Sequence, residues 1–122
     1  MKLTLSSLRK TWLLDLDGTL VKHNGYKKGG EELLKGAVDL FKQIHPKDRI
    51  VLLTSRDKRF KASIARFFKE RHLRYDQIIF NLSHGERILI NDKKPSGLKT
   101  ALAVNKKRDA FLRIKIVIDS EL

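Results

Sequence analysis

Apolar and polar positions follow two rhythms along this chain. Residues 11–16 (TWLLDL) and 49–54 (RIVLLT) are apolar runs of strand length, and residues 77–80 (QIIF) and 87–91 (RILIN) are shorter runs of the same kind. Between them the spacing is helical. Over residues 31–44, Leu33, Leu34, Ala37, Val38, Phe41 and Ile44 share one face, acidic residues open the segment, and Pro46 follows it. Over residues 57–72, Phe60, Ile64, Phe67 and Phe68 share a face and Asp57 is placed to cap the start. Residues 21–30, polar with three glycines, read as a loop.

The last third admits two readings. In the first, residues 96–100 form a turn, residues 101–105 (ALAVN) a fifth strand and residues 112–118 (LRIKIVI) a sixth. In the second, residues 97–111 form one helix before a single final strand. The short apolar run after the Pro-Ser-Gly turn favours the first. Strand–helix–strand alternation implies right-handed crossovers and a mostly parallel, Rossmann-like sheet with both faces covered. The expected fold class is therefore α/β, a small three-layer sandwich over residues 1–122 as one domain.

Composition narrows the class. A chain of 122 residues can bury about two-thirds of its unfolded surface. No apolar run approaches the roughly 20 residues needed to span a bilayer, and the opening stretch lacks the apolar core of a secretory signal. No cysteine is present, which rules out disulfides and thiolate metal sites. The expected location is the cytoplasm. The net charge of +13 comes largely from two segments, residues 56–74 and 93–115, each with eight Lys/Arg. Such a field draws anionic partners, from phosphorylated metabolites to nucleic acid, beyond its solubilising role.

The candidate chemistry lies at strand ends. In an open parallel sheet, ligands bind beyond the carboxyl ends of the strands. The first run ends in Asp15, Leu16, Asp17, Gly18 and Thr19, the second in Thr54, Ser55 and Arg56, and the fourth in Asn91 and Asp92. Residues two apart on a strand face one side, so Asp15 and Asp17 can reach one small site. Three gathered carboxylates would repel one another, and a hard divalent cation with oxygen ligands, Mg2+ before zinc, would resolve the conflict.

The DLDGT segment, the Thr-Ser pair after a second apolar run and the acid after a later one resemble the haloacid dehalogenase-like (HAD) phosphohydrolase superfamily, over residues 11–92. The resemblance implies a Mg2+-dependent phosphatase with Asp15 as nucleophile and Asp17 as proton donor and later base. It implies metal ligation by Asp15, Asp17 and Asp92. Gly18, Thr54 and Ser55 would bind the phosphate. Family members place a lysine shortly before the last acidic motif, but residues 80–92 contain none. Arg87 could substitute, or Lys93 or Lys94 reaching back from the following loop. No segment is long enough for a cap domain, so an open site is expected, for a large substrate or for closure by a second subunit.

A sugar phosphate or similar metabolite stands slightly ahead of a polynucleotide end as the expected substrate. The missing lysine motivates a second reading, a phosphate- or nucleic-acid-binding module with little turnover. A subunit whose basic faces serve homo-oligomer assembly is the third.

Overall fold

A computed structural model describes residues 1–122. The elements run β1 (Lys2–Leu5), β2 (Thr11–Asp15), α1 (Ala37–Gln43), β3 (Arg49–Leu53), α2 (Lys61–Glu70), β4 (Gln77–Ile79) and β5 (Lys115–Ile118). The class is α/β, and every strand pairing is parallel. The strands form two sheets rather than one: β2-β3-β4, and β1 with β5. β1 and β5, at opposite ends of the chain, pair from Lys2↔Lys115 to Leu5↔Ile118. No helix is long and apolar enough to cross a membrane.

In the larger sheet β3 is central, and its Ile50, Val51 and Leu52 are buried. The register aligns Leu14, Leu52 and Ile78 in one row, with Trp12 beside Ile50 two residues earlier. This face meets both helices. Ala37, Leu40 and Ile44 at α1, and Ile64, Phe67 and Phe68 of α2, join Ile50 and Leu52 in one buried cluster. Phe68 is its hub, edge-on to Phe41, Phe67 and Tyr75 at 5.3–6.2 Å. The opposite face is less covered, with Leu13 and Ile79 exposed. β2, expected to be a buried strand, is an edge strand, and its burial alternates accordingly.

Local signals explain the helix ends. Asp57 accepts a hydrogen bond from the Arg59 N–H at 2.9 Å and so caps the 3-10 turn Lys58–Phe60 that leads into α2. α1 is shorter than the apolar spacing predicts because Gly36 adopts φ +94°, which breaks the helix there. A Cβ on Gly36 would lie 2.0 Å from the Leu112 carbonyl oxygen, and the Leu112 N–H donates to the Lys35 carbonyl at 2.9 Å. The C-terminal segment therefore lies directly on the start of α1. Farther along, Gln43 clamps the same segment, donating to the Ile114 carbonyl and accepting from the Ile116 N–H, each at 2.8 Å.

Two expected strands are absent. Residues 87–91 and 101–105 carry strand-like sequences, yet no helix or strand forms between β4 and β5. Ile88 and Ile90 are 83% and 91% exposed. A strand is stabilised by hydrogen bonding and packing against a neighbour, and neither run has one, whatever its propensity. The alternative helix over residues 97–111 is absent as well, and only Lys115–Ile118 of the final apolar run is a strand.

Candidate active site

The turn after β2 is organised around Leu16. Its carbonyl accepts from the Thr19, Leu20 and Val21 N–H groups at 3.0–3.4 Å, while Leu16, Leu20 and Val21 are fully buried. Leu16 is thus drawn inward, and the flanking Asp15 and Asp17 are left on the other side of the chain. Gly18 turns the backbone at φ +83°, a conformation costly for residues with a side chain.

Asp15 is held from two directions. The Thr19 hydroxyl donates to Oδ2 at 2.9 Å, and Arg87 Nη2 lies 3.4 Å from Oδ1. About a third of the side chain remains open to solvent. Partial burial pushes the Asp15 pKa above its ordinary value and the neighbouring Asp17 adds to this, against the opposing pull of Thr19, Arg87 and His23.

Asp17 is occupied. Arg56 donates to Oδ1 through Nη2 at 2.6 Å and Nε at 3.0 Å, and the Thr54 hydroxyl donates to Oδ2 at 2.9 Å. The same guanidinium donates to both oxygens of Glu31, at 2.6 and 2.8 Å, and lies over the Tyr26 ring at 3.8 Å. Tyr26 in turn meets Phe60 edge-on at 4.9 Å. Arg56 therefore joins the turn after β2, the loop that follows it and the start of the second helix. Burial lowers the Arg56 pKa, but the bonds to Glu31 and Asp17 outweigh it and raise the value overall. The costly aspartate of an apolar strand end is thus balanced by a buried arginine.

Not every predicted residue stands where the resemblance implies. The Gly18 N–H donates to the Val21 carbonyl at 2.7 Å, so it is not free for a phosphate. Thr54 is buried against Asp17, and its hydroxyl also accepts from the Arg56 N–H at 3.1 Å. Ser55 is exposed beside them. Arg87 is at Asp15. Lys94 lies in an exposed turn, its N–H bonded to the Leu98 carbonyl at 3.1 Å. Asp92 is exposed, and its carbonyl accepts from the Thr100 hydroxyl. Asn91 donates to the same hydroxyl at 2.8 Å.

No three acidic or histidine side chains come together as a metal-binding group, so Asp92 does not join Asp15 and Asp17. The physical reason is the missing fourth strand, which was to carry Asp92 to the sheet edge. With Asp17 bonded on both oxygens and Asp15 facing a guanidinium, the residues as placed do not fit a Mg2+ centre.

Three cations beyond the sequence reading complete the surroundings. In the sequence Arg56 reads as the end of a strand and the first of a run of basic residues, and nothing local marks it as the partner of Asp17. Lys106 donates to the Gly18 carbonyl at 3.1 Å and to the Lys107 carbonyl at 3.1 Å. Burial lowers the Lys106 pKa, against the opposing charge of Asp109. Arg108 crosses Gly18 so closely that a Cβ there would be 3.2 Å from its Cγ. Asp109 fastens this segment, donating its N–H to the Gly18 carbonyl at 2.9 Å and accepting from the His23 N–H at 2.8 Å. Comparison with known proteins finds no match among family models, curated proteins or solved structures.

Proposed function

We propose that the chain is a phosphomonoester hydrolase in which Asp15 attacks phosphorus, acting on a sugar phosphate or other phosphorylated metabolite. The observation that carries the reading is the pairing of a half-open strand-end carboxylate with a facing cation: Asp15 is oriented by Thr19 and has Arg87 at 3.4 Å. The DLDGT resemblance supports the same assignment, and with it a capless three-layer HAD-like sandwich whose nucleus would be the β2-β3-β4 sheet.

In this reading Arg87 shifts from the carboxylate to the incoming phosphate and offsets the repulsion between two anions. An Asp15 oxygen forms a bond to phosphorus as the ester oxygen leaves, giving an aspartyl phosphate and an alcohol. Water then cleaves the phosphorus–oxygen bond, releasing phosphate and restoring Asp15. The proton transfers are assigned to Asp17: one of its oxygens, released by Arg56 when substrate binds, takes a proton from solvent and passes it to the leaving oxygen, then accepts a proton from the attacking water. Mg2+ enters the proposal through the resemblance alone, and no step is routed through it.

The test is phosphate release from p-nitrophenyl phosphate, with Mg2+ and with chelator, by the wild-type chain and by Asp15→Asn. The reading expects release that Asp15→Asn abolishes. Release that survives the substitution removes Asp15 from the covalent role. The separation of Asp92 from the other two acids favours a second reading, a phosphate-binding module without turnover. Phosphate binding with no release from any ester would select it.

A further inference from the structure

The two cations on the outer side of the turn have no part in the reaction just described. Lys106 is anchored by two carbonyls at the rim, its ammonium fixed rather than free to wander. Arg108 is exposed and pairs with no carboxylate, yet its side chain packs across Gly18 with Nε 3.9 Å from the position a Cβ would take. Arg56 is consumed by Asp17 and Glu31, and Arg87, beside Asp15, is assigned to the first phosphate. An unpaired guanidinium whose side chain packs across Gly18, on a segment tied to that residue by the Asp109 N–H and the Lys106 ammonium, is placed to meet an anion beside the candidate phosphate site.

We infer that Lys106 and Arg108 form a second anion subsite beside the Asp15–Gly18 turn, and that the ligand taken there is a phosphate ester bearing a second anionic group. The first phosphate sits at Asp15 and Arg87, and the second anion at Arg108, with Lys106 adding charge. This rests on the reading of Asp15 as the phosphate site and names its substrate class. Two sources share the chemistry, a sugar bisphosphate and the phosphodiester next to an oligonucleotide's terminal phosphate.

The test is titration calorimetry with orthophosphate and pyrophosphate, on the wild-type chain and on Arg108→Ala, Arg108→Lys and Lys107→Ala. Lys107 is an exposed neighbour of equal charge that meets Lys106 through its backbone carbonyl. One charge-assisted contact predicts that pyrophosphate binds about tenfold more tightly than orthophosphate. That advantage should shrink to near unity in Arg108→Ala, return in part in Arg108→Lys and persist in Lys107→Ala. Equal affinity for the two anions overturns the inference. So does an advantage that survives Arg108→Ala, or one that falls as far in Lys107→Ala, which would report only the diffuse field of the +13 chain.

Parallel titrations with a hexose bisphosphate and a 5′-phosphorylated thymidine trimer identify the source by which binds more tightly. No turnover is needed. Arg108-dependent pyrophosphate binding without ester hydrolysis overturns the hydrolase reading alone, and hydrolysis without preference for a second anion overturns the subsite alone.

Discussion

Arg56 holds Asp17 through two nitrogens, Nη2 at 2.6 Å and Nε at 3.0 Å from Oδ1, although 39 residues separate them in the chain. Glu31, a further acid on the intervening loop, takes the remaining edge of the guanidinium. One buried cation thus balances two carboxylates that would otherwise repel, and it ties the loop to the sheet end.

Removing that cation should be among the most damaging single changes. Breaking a buried ion pair from one side costs about 3–5 kcal/mol, because the remaining charges stay desolvated. Arg56→Ala is expected to lose stability of that order in urea denaturation. Arg56→Lys should recover only part, since an ammonium cannot grip two carboxylates at once. A variant as stable as the wild-type chain would show that the network contributes no net stability.

Gly36→Ala tests how the chain's end meets α1. The added methyl would sit 2.0 Å from the Leu112 carbonyl oxygen at a backbone angle of φ +94°. Left-handed strain of about 1–2 kcal/mol adds to an overpacking cost of about 1–3 kcal/mol. Thermal denaturation should show a clearly lowered midpoint, and an unchanged one would mean that the C-terminal segment does not rest there.

Asp15 should titrate above the ordinary aspartate range, because partial burial disfavours its charged form. Arg87 opposes that shift, so Arg87→Ala should move the Asp15 carboxyl titration, followed by NMR, higher still. The sign for stability follows from linkage: a carboxyl with a raised folded pKa destabilises the fold once it ionises. Asp15→Asn is therefore expected to stabilise the chain at neutral pH. The gain should fade as pH falls through the raised value to the ordinary one. A destabilised Asp15→Asn at pH 7 would contradict this.

Asp48 behaves in the opposite sense. Burial raises its pKa, but bonds from Trp12 Nε1 and the Lys10 N–H, both at 3.0 Å, and the nearby Lys10 and Arg9 charges outweigh burial and lower it. Its contribution is present above the ordinary aspartate value and is lost as pH falls through the lower folded value. Asp48→Ala should cost about 1–3 kcal/mol at neutral pH, with the penalty shrinking in acid. Urea denaturation at several pH values measures both.

By itself the sequence determined three strands, the two helices and the position of the central aspartates, though not β1 at Lys2–Leu5. Helical spacing marked both helices, Asp57 marked a cap, and the apolar runs at residues 11–16, 49–54 and 77–80 marked the three strands that pair in order. These signals lie within a few residues of the structure they specify. Only the tertiary structure decided that residues 87–91 stay unpaired, that Asp92 stays apart, and that residue 36 must be a glycine. It also supplied the partners of the site, Arg56 for Asp17 and Lys106 for a turn 88 residues earlier. Those outcomes depend on which distant segment reaches an edge or a carbonyl first. That competition is settled by shared burial and pairing, and no residue's own propensity records it.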